Sequence, residues 1–260
     1  MKDFVNFHMT FPPTPAYIGR LLKIADGKAY TTTEIAELTG IPEGTSSGKV
    51  RPHISYAAYM GLIDPDKFAR TSLGEEVRNE DCMIAEKLTQ LLCHIRLCSY
   101  SGAALWKFMF RKLLPENQGK IGTAALAEAM QREFGASVKY APVISMYTKQ
   151  FTKLNLLQTN LNTVSICSLP VEQDMLYVYA YALLYEWELC FSKKMEITEG
   201  ELSQLKFGPC FGWDRRTEND VLQLLADHNI IGMNRQLVPF TVRKLANAQS
   251  MIPKLYSLLL

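Results

Sequence analysis

Long apolar runs are scarce in this sequence. The longest, Met175 to Leu184, is too short to cross a bilayer and gives way at Glu186. Met1-Lys2-Asp3-Phe4 lacks the basic and apolar blocks of an export signal. Paired cysteines are missing too. The six present (Cys82, Cys93, Cys98, Cys167, Cys190 and Cys210) are scattered and form no CxxC motif, so reduced thiols in a soluble cytoplasmic protein are expected. Nor is there an excess of one charge. A net charge of +2 argues against attachment to nucleic acid by bulk charge and leaves only local patches for that role.

Catalytic signatures are absent as well. The chain has no GxSxG motif, no HExxH motif and no compact acidic cluster, and it reads as a protein without enzymatic activity. His94 and Cys98 lie four residues apart on one helix face, as two metal ligands do. No further ligands follow at a diagnostic spacing, so no metal or cofactor is expected. His8, in an aromatic segment, reads as a buried and hydrogen-bonded histidine.

What the sequence does contain is helical punctuation. With 260 residues, about half of them apolar and a fifth charged, it can bury a full core as one large or two to three small domains. Thr31 to Ile63 organises the rest. Thr31-Thr32-Thr33-Glu34 offers a helix cap, Gly40 a left-handed stop, Pro52 a first-turn residue for a second helix, and Gly61 its C-terminal cap. Ile54, Ala57, Ala58 and Gly61 share one face. Helix, turn and longer helix lead through Ile63 to Asp64-Pro65-Asp66, with Lys67 to Gly74 as the return strand: a helix-turn-helix followed by a wing. Before it, Met1 to Thr14 is expected as an extended aromatic arm, and Pro15 to Ala25 as a helix.

The pattern recurs twice, at intervals of roughly 30 residues within each copy. After helices over Asp81–Leu97 and Ser101–Leu114 and a linker at Pro115 to Gly119, Thr123 caps a helix to Phe134, with a longer one over Ser137–Leu154 and a strand at Thr163–Cys167. A tyrosine-rich helix, Asp174–Phe191, intervenes. Thr198 then caps Glu199–Leu205, Arg215–His228 forms the longer helix, and Gly232–Phe240 reads as a hairpin. The expected fold class is mostly α, with tandem winged-helix modules, small β wings and connecting helices. The expected divisions are 1–80, 81–115, 116–172 and 173–260.

Gly44-Thr45-Ser46-Ser47-Gly48-Lys49 looks like a phosphate loop ahead of a helix. The nucleotide version needs four residues between its glycines and Ser or Thr after the lysine; here there are three, and Val50 follows. Its amides and hydroxyls, with Lys49 and Arg51, still suit a DNA phosphate, the alternative being an ordinary turn. From Phe134 to Val171 there are three lysines and no acid. The candidate DNA contacts are therefore Thr45, Ser46, Ser47, Lys49, Arg51, Lys139, Tyr140, Lys149 and Lys153. Ser137, Lys139 and Tyr140 are expected early on the second helix of their copy, the end that usually enters a groove. A solvated helix face is the competing reading. In the third copy Asp214, Glu218 and Asp220 surround Arg215 and Arg216, which points to a protein contact.

Phe4-x-x-Phe7-His8-x-Thr10-Phe11-Pro12 resembles the Phe/Gly-x-His-x-Thr-Phe opening of an uncharacterised bacterial domain-of-unknown-function family. Members of that family are often encoded beside DNA phosphorothioation and other phage-defence genes. The likeness runs on through Met60-Gly61-Leu62-Ile63, Thr71-x-Leu73-Gly74, Leu91-Leu92-x-His94 and Ala104-Leu105-Trp106-x-x-x-Phe110, and is best over Phe4 to Leu113. The chain departs from the family pattern at Pro13-Thr14-Pro15 and over Gly44 to Lys49. The resemblance implies a winged-helix protein of DNA modification or its restriction partner. Two readings follow. One is a double-stranded-DNA-binding accessory or regulatory protein of such a system. The other is a scaffold subunit that holds other subunits of a defence complex, with little DNA affinity. Tyr177, Tyr181, Tyr185 and Trp187 would line the partner or homodimer surface in that second case.

Overall fold

Threonine opens three of the helices in the same way. Thr31, Thr71 and Thr198 each stand in extended backbone and accept an amide hydrogen bond from three residues ahead; Glu34 and Glu201 complete capping boxes at the first and third. The structure, a computed structural model, describes residues 5–44, 47–234 and 239–259. It is mostly helical, with small antiparallel sheets.

The first unit is α1 (Pro15–Ile24), α2 (Thr32–Thr39), α3 (Val50–Tyr59) and the two-residue strands β1 (Ile63–Asp64) and β2 (Ala69–Arg70). Gly40 ends α2 at φ +64°, where a side chain would be strained. Asp26 bridges to Ala69 on the edge of β2 away from β1, so the hairpin carries a third strand reduced to one residue.

The return strand expected over Lys67–Gly74 stops at Arg70. Thr71 instead caps α4 (Ser72–Asp81), a helix the sequence reading missed. Packing explains the choice. Leu73, Gly74 and Val77 are buried, and Gly74 lies so close to the Leu62 carbonyl that a Cβ would stand 1.9 Å from its oxygen.

Next come α5 (Lys87–Cys98), α6 (Ala104–Phe108) and α7 (Leu114–Glu116), the last two joined by a π-helical turn over Met109–Leu113. The expected linker at Pro115–Gly119 is no linker. Gln118 and Gly119 turn in the left-handed region, and the Gly119 carbonyl accepts from the Ile166 amide, fastening the turn to the following sheet. That second unit has β3 (Lys120–Gly122), α8 (Thr123–Phe134), α9 (Ala141–Ser145), β4 (Leu157–Thr159) and β5 (Thr163–Ile166). Its long helix starts later than expected, with Pro142 in the first turn, and passes into a π turn over Met146–Gln150.

The third part opens with α10 (Leu176–Cys190) and continues through β6 (Glu196–Thr198), α11 (Glu199–Gln204), α12 (Arg215–Asp227), β7 (Ile231–Asn234), β8 (Thr241–Lys244) and α13 (Ala248–Met251). The strand orders β3-β5-β4 and β6-β8-β7 are the same: in each sheet the last strand of the unit lies between the first and the second.

Buried apolar side chains form one cluster from Phe7 to Leu255, with α5 and α10 at its centre. Of the four aromatics considered from sequence as a partner surface, Tyr181 and Trp187 are buried in this core and Tyr177 and Tyr185 are half-buried against it, so α10 serves mainly packing. Arg111 and Glu186 are buried beside it as an ion pair at 3.0 Å. The Arg111 guanidinium also donates to the Cys98 and Leu205 carbonyls, joining α5, α10 and the end of α11.

Candidate nucleic-acid interface

The turn before α3 is closed by the amides of Gly48 and Lys49, which donate to the Gly44 and Pro42 carbonyls at 3.0 and 2.8 Å. Lys49 occupies the N-cap position, yet its side chain makes no cap bond. Its ammonium instead lies 5.2 Å from the Phe11 ring centre and 5.9 Å from that of Tyr17, a cation–π arrangement that steers the charge without neutralising it. Ser47 and Arg51 are exposed beside it. A groove of about 610 Å³ runs along this end of the helix, lined by Met9, Thr32, Glu43, Gly48, Val50 and Arg51.

Underneath, His53 fixes the geometry. Its Nδ1 donates to the Lys49 carbonyl at 2.6 Å, and its Nε2 accepts the Thr14 amide at 3.0 Å. Only the neutral ring can make both bonds. Burial pushes its pKa down to about 4. No sequence signal pointed to His53: the Lys49 carbonyl is a local partner four residues earlier, but the Thr14 amide meets the ring only through tertiary folding.

The arm preceding α1 is not extended. Amides of Met9 and Phe11 donate to the carbonyls of Asn6 and His8, and Met9 and Thr10 stand at φ 47° and 77°. Such backbone costs roughly 1–3 kcal/mol per residue and persists only where neighbours hold it. Here they do. Phe7 packs on Tyr56, Tyr59 and Trp106, and the Tyr56 hydroxyl donates to the Phe11 carbonyl at 2.9 Å. His8 is buried, accepts the Thr10 amide through Nδ1, and has its pKa pushed down to about 4 by burial, against a smaller opposing effect from the Lys139 backbone.

Asn6 carries the arm to the second unit. Its side-chain amide donates to the Ser137 carbonyl at 3.2 Å, and its oxygen accepts the Lys139 amide at 2.8 Å. One short segment thus touches both the turn that presents Lys49 and the loop that presents Lys139. Asn6 was not among the residues singled out from sequence, and a contact spanning so much chain leaves no local trace.

The remaining sequence candidates divide. Thr45 and Ser46 lie outside the described residues. Lys139 is exposed in the loop before α9 rather than on a helix, and Tyr140 is the half-buried N-cap residue, because helical backbone begins only at Ala141. Lys149 is exposed in the π turn. Lys153 is paired with Glu86 at 3.2 Å, which sets an acid beside it on the surface; among the described residues no acid is paired with Lys139 or Lys149. In the third part Arg215 pairs with Glu199 at 2.6 Å and donates to Ser203, while Asp214 caps α12.

His94 is buried. Its Nε2 donates to the Cys210 carbonyl at 2.7 Å, its Nδ1 accepts the Tyr147 hydroxyl at 2.6 Å, and burial pushes its pKa down to about 4. Cys98 Sγ lies 3.5 Å away. Both ring nitrogens are therefore engaged with protein.

No family model matches the sequence, and no curated protein matches it significantly. The fold does have solved counterparts. A magnesium ion-bound crystal structure of SspB superposes with a TM-score of 0.72 at 14% identity, covering 97% of this chain and 88% of that one. A second SspB crystal structure gives 0.71 at 13% identity with the same coverage. Identity this low carries a likeness of fold. As for the ion in the first of them, no three His, Cys, Asp or Glu side chains are grouped to hold a metal among the described residues of this chain.

Proposed function

We propose that this chain is a DNA-binding accessory or regulatory protein of a bacterial DNA-modification or phage-defence system, built from three winged helices and acting without catalysis of its own. In this reading each unit is a helix-turn-helix whose hairpin is the wing, and the first two present their second helices to duplex DNA. The shared strand order supports it, as does the bridge that completes a third strand in the first unit. The sequence resemblance over Phe4–Leu113 and the SspB-like fold supply the biological setting.

The observation that carries the proposal is the N-terminal arm, whose Phe11 lies against Lys49 while its Asn6 clasps the loop bearing Lys139, in a stretch (134–171) free of acids. Fluorescence anisotropy with a labelled duplex at low salt tests it. Lys49→Ala/Arg51→Ala should weaken binding to all sequences alike, since phosphate contacts carry no base information. An unchanged double variant would remove α3 from the surface.

A second reading has its own support in the third part, where Arg215 and Glu199 neutralise one another. That unit fits a protein contact with another subunit of a defence complex. Co-purification of a partner, together with no gel shift at low salt, would favour a scaffold role for the whole chain.

A further inference from the structure

A second groove, of about 350 Å³, opens on another part of the molecule, within the range of about 300–1,000 Å³ typical of small-molecule sites. It is lined by Lys107 and Phe108 of α6 and by Lys112 in the π turn. Phe134 at the end of α8, Tyr100 and Lys206 also line it. A π turn inserts one extra residue into the helical register and is frequent at functional sites.

The cations here are held in an unusual way. Lys112 is paired with Glu133 at 3.5 Å, and Arg111, at the base, with Glu186. Lys107 and Lys206 are not paired with any acid among the described residues. Their ammonium groups donate instead to the carbonyls of Tyr100 and Arg111, at 3.1 and 3.0 Å. A neutral carbonyl fixes the position of an ammonium and leaves its charge, and its other two hydrogens, available. Between these charges the walls are aromatic: Phe108 and Phe134 meet edge to face at 5.3 Å, and Tyr100 is 36% exposed. One face of Tyr100 is covered by the Arg111 guanidinium at 4.6 Å, and fixed positive charge beside partly exposed aromatic rings is the composition that receives a base and its phosphate.

We propose that this groove binds a nucleoside phosphate, either free or at the phosphorylated end of a nucleic-acid strand. Lys107 and Lys206 take the phosphate, and the rings of Phe134 and Tyr100 take the base. The inference is independent of the duplex surface proposed above.

Titration calorimetry on the full chain tests it, with adenosine monophosphate, inorganic phosphate and a single-stranded oligonucleotide with and without a terminal phosphate. Adenosine monophosphate should bind, and inorganic phosphate about tenfold more weakly or worse, because stacking is worth a factor of that order. Lys107→Gln/Lys206→Gln should lower affinity about tenfold or more. Phe134→Leu keeps apolar bulk and removes the ring, and should lower it about fivefold. Both variants should stay folded, with the melting temperature lowered by no more than about 2–8 °C for the contacts removed, and duplex binding should stay within about twofold. Tighter binding of the phosphorylated strand than of the free nucleotide assigns the strand end, and the reverse order assigns the free ligand. No heat with either at millimolar concentration, affinity unchanged in both variants, or phosphate binding as tightly as the nucleotide overturns the proposal.

Discussion

Three of the four histidines are buried and neutral, and acid should unfold the protein through them. His8, His53 and His94 each have a pKa pushed from 6.5 down to about 4, with burial the largest cause in all three. A histidine depressed in this way is protonated more readily in the unfolded chain. Its contribution is therefore intact above pH 6.5 and is lost as the pH falls from 6.5 towards 4. Between pH 6.5 and about 5 the loss is about 1.5 kcal/mol per histidine, or about 4–5 kcal/mol for three. That is comparable with much of a domain's stability, about 5–15 kcal/mol. Urea unfolding followed by tryptophan fluorescence over that window should show the midpoint falling steadily, with nearly three protons taken up on unfolding near pH 5. His53→Asn should remove about one third of that slope, apart from any loss of stability at neutral pH. A midpoint that stays level to pH 5, or an unchanged slope in the variant, would contradict the assignment of these buried rings as neutral.

Other expectations follow from single contacts. Arg111→Met or Glu186→Leu alone strands a buried charge and should cost about 3–5 kcal/mol, lowering the melting temperature by roughly 2–4 °C per kcal/mol, whereas the double variant should recover only part of the Arg111→Met loss, because the Cys98 and Leu205 carbonyls still lack their donor. Gly74→Ala would set a Cβ 1.9 Å from the Leu62 carbonyl oxygen and should destabilise by on the order of 2–4 kcal/mol, measured by thermal unfolding. Asn6→Ala loses two hydrogen bonds, about 1–2 kcal/mol. In the same anisotropy assay it should weaken duplex binding severalfold with the salt slope kept, because it removes position and not charge.

Much of the helical framework was legible because its signals are local. The Thr31–Glu34 and Thr198–Glu201 boxes, the stop at Gly40 and the bounds of α10 and α12 depend on residues within one or two turns. Elsewhere local pattern yielded to tertiary contact. Lys67 to Gly74 reads as a return strand, yet Thr71 caps a helix there, and burial of Leu73 and Val77 with Gly74 close against Leu62 holds it. The aromatic arm turns because Tyr56 and Asn6 hold it, and neither contact has a sequence period. The same holds for the candidate site. The exposure of Lys149 and Arg51 follows helical spacing, but the capture of Lys153 by Glu86 and the clasp of the Lys139 loop by Asn6 join segments far apart in the chain.

The salt dependence of duplex binding reaches the central claim most directly. With Lys49, Arg51, Lys139 and Lys149 free of acidic partners among the described residues, about four phosphates should be neutralised, giving a log–log slope of about −3.6. Lys49→Ala/Arg51→Ala should flatten that slope by about 1.8, while Lys153→Ala should hardly change it. A wild-type slope near zero, or a double variant with the slope intact, would contradict the account.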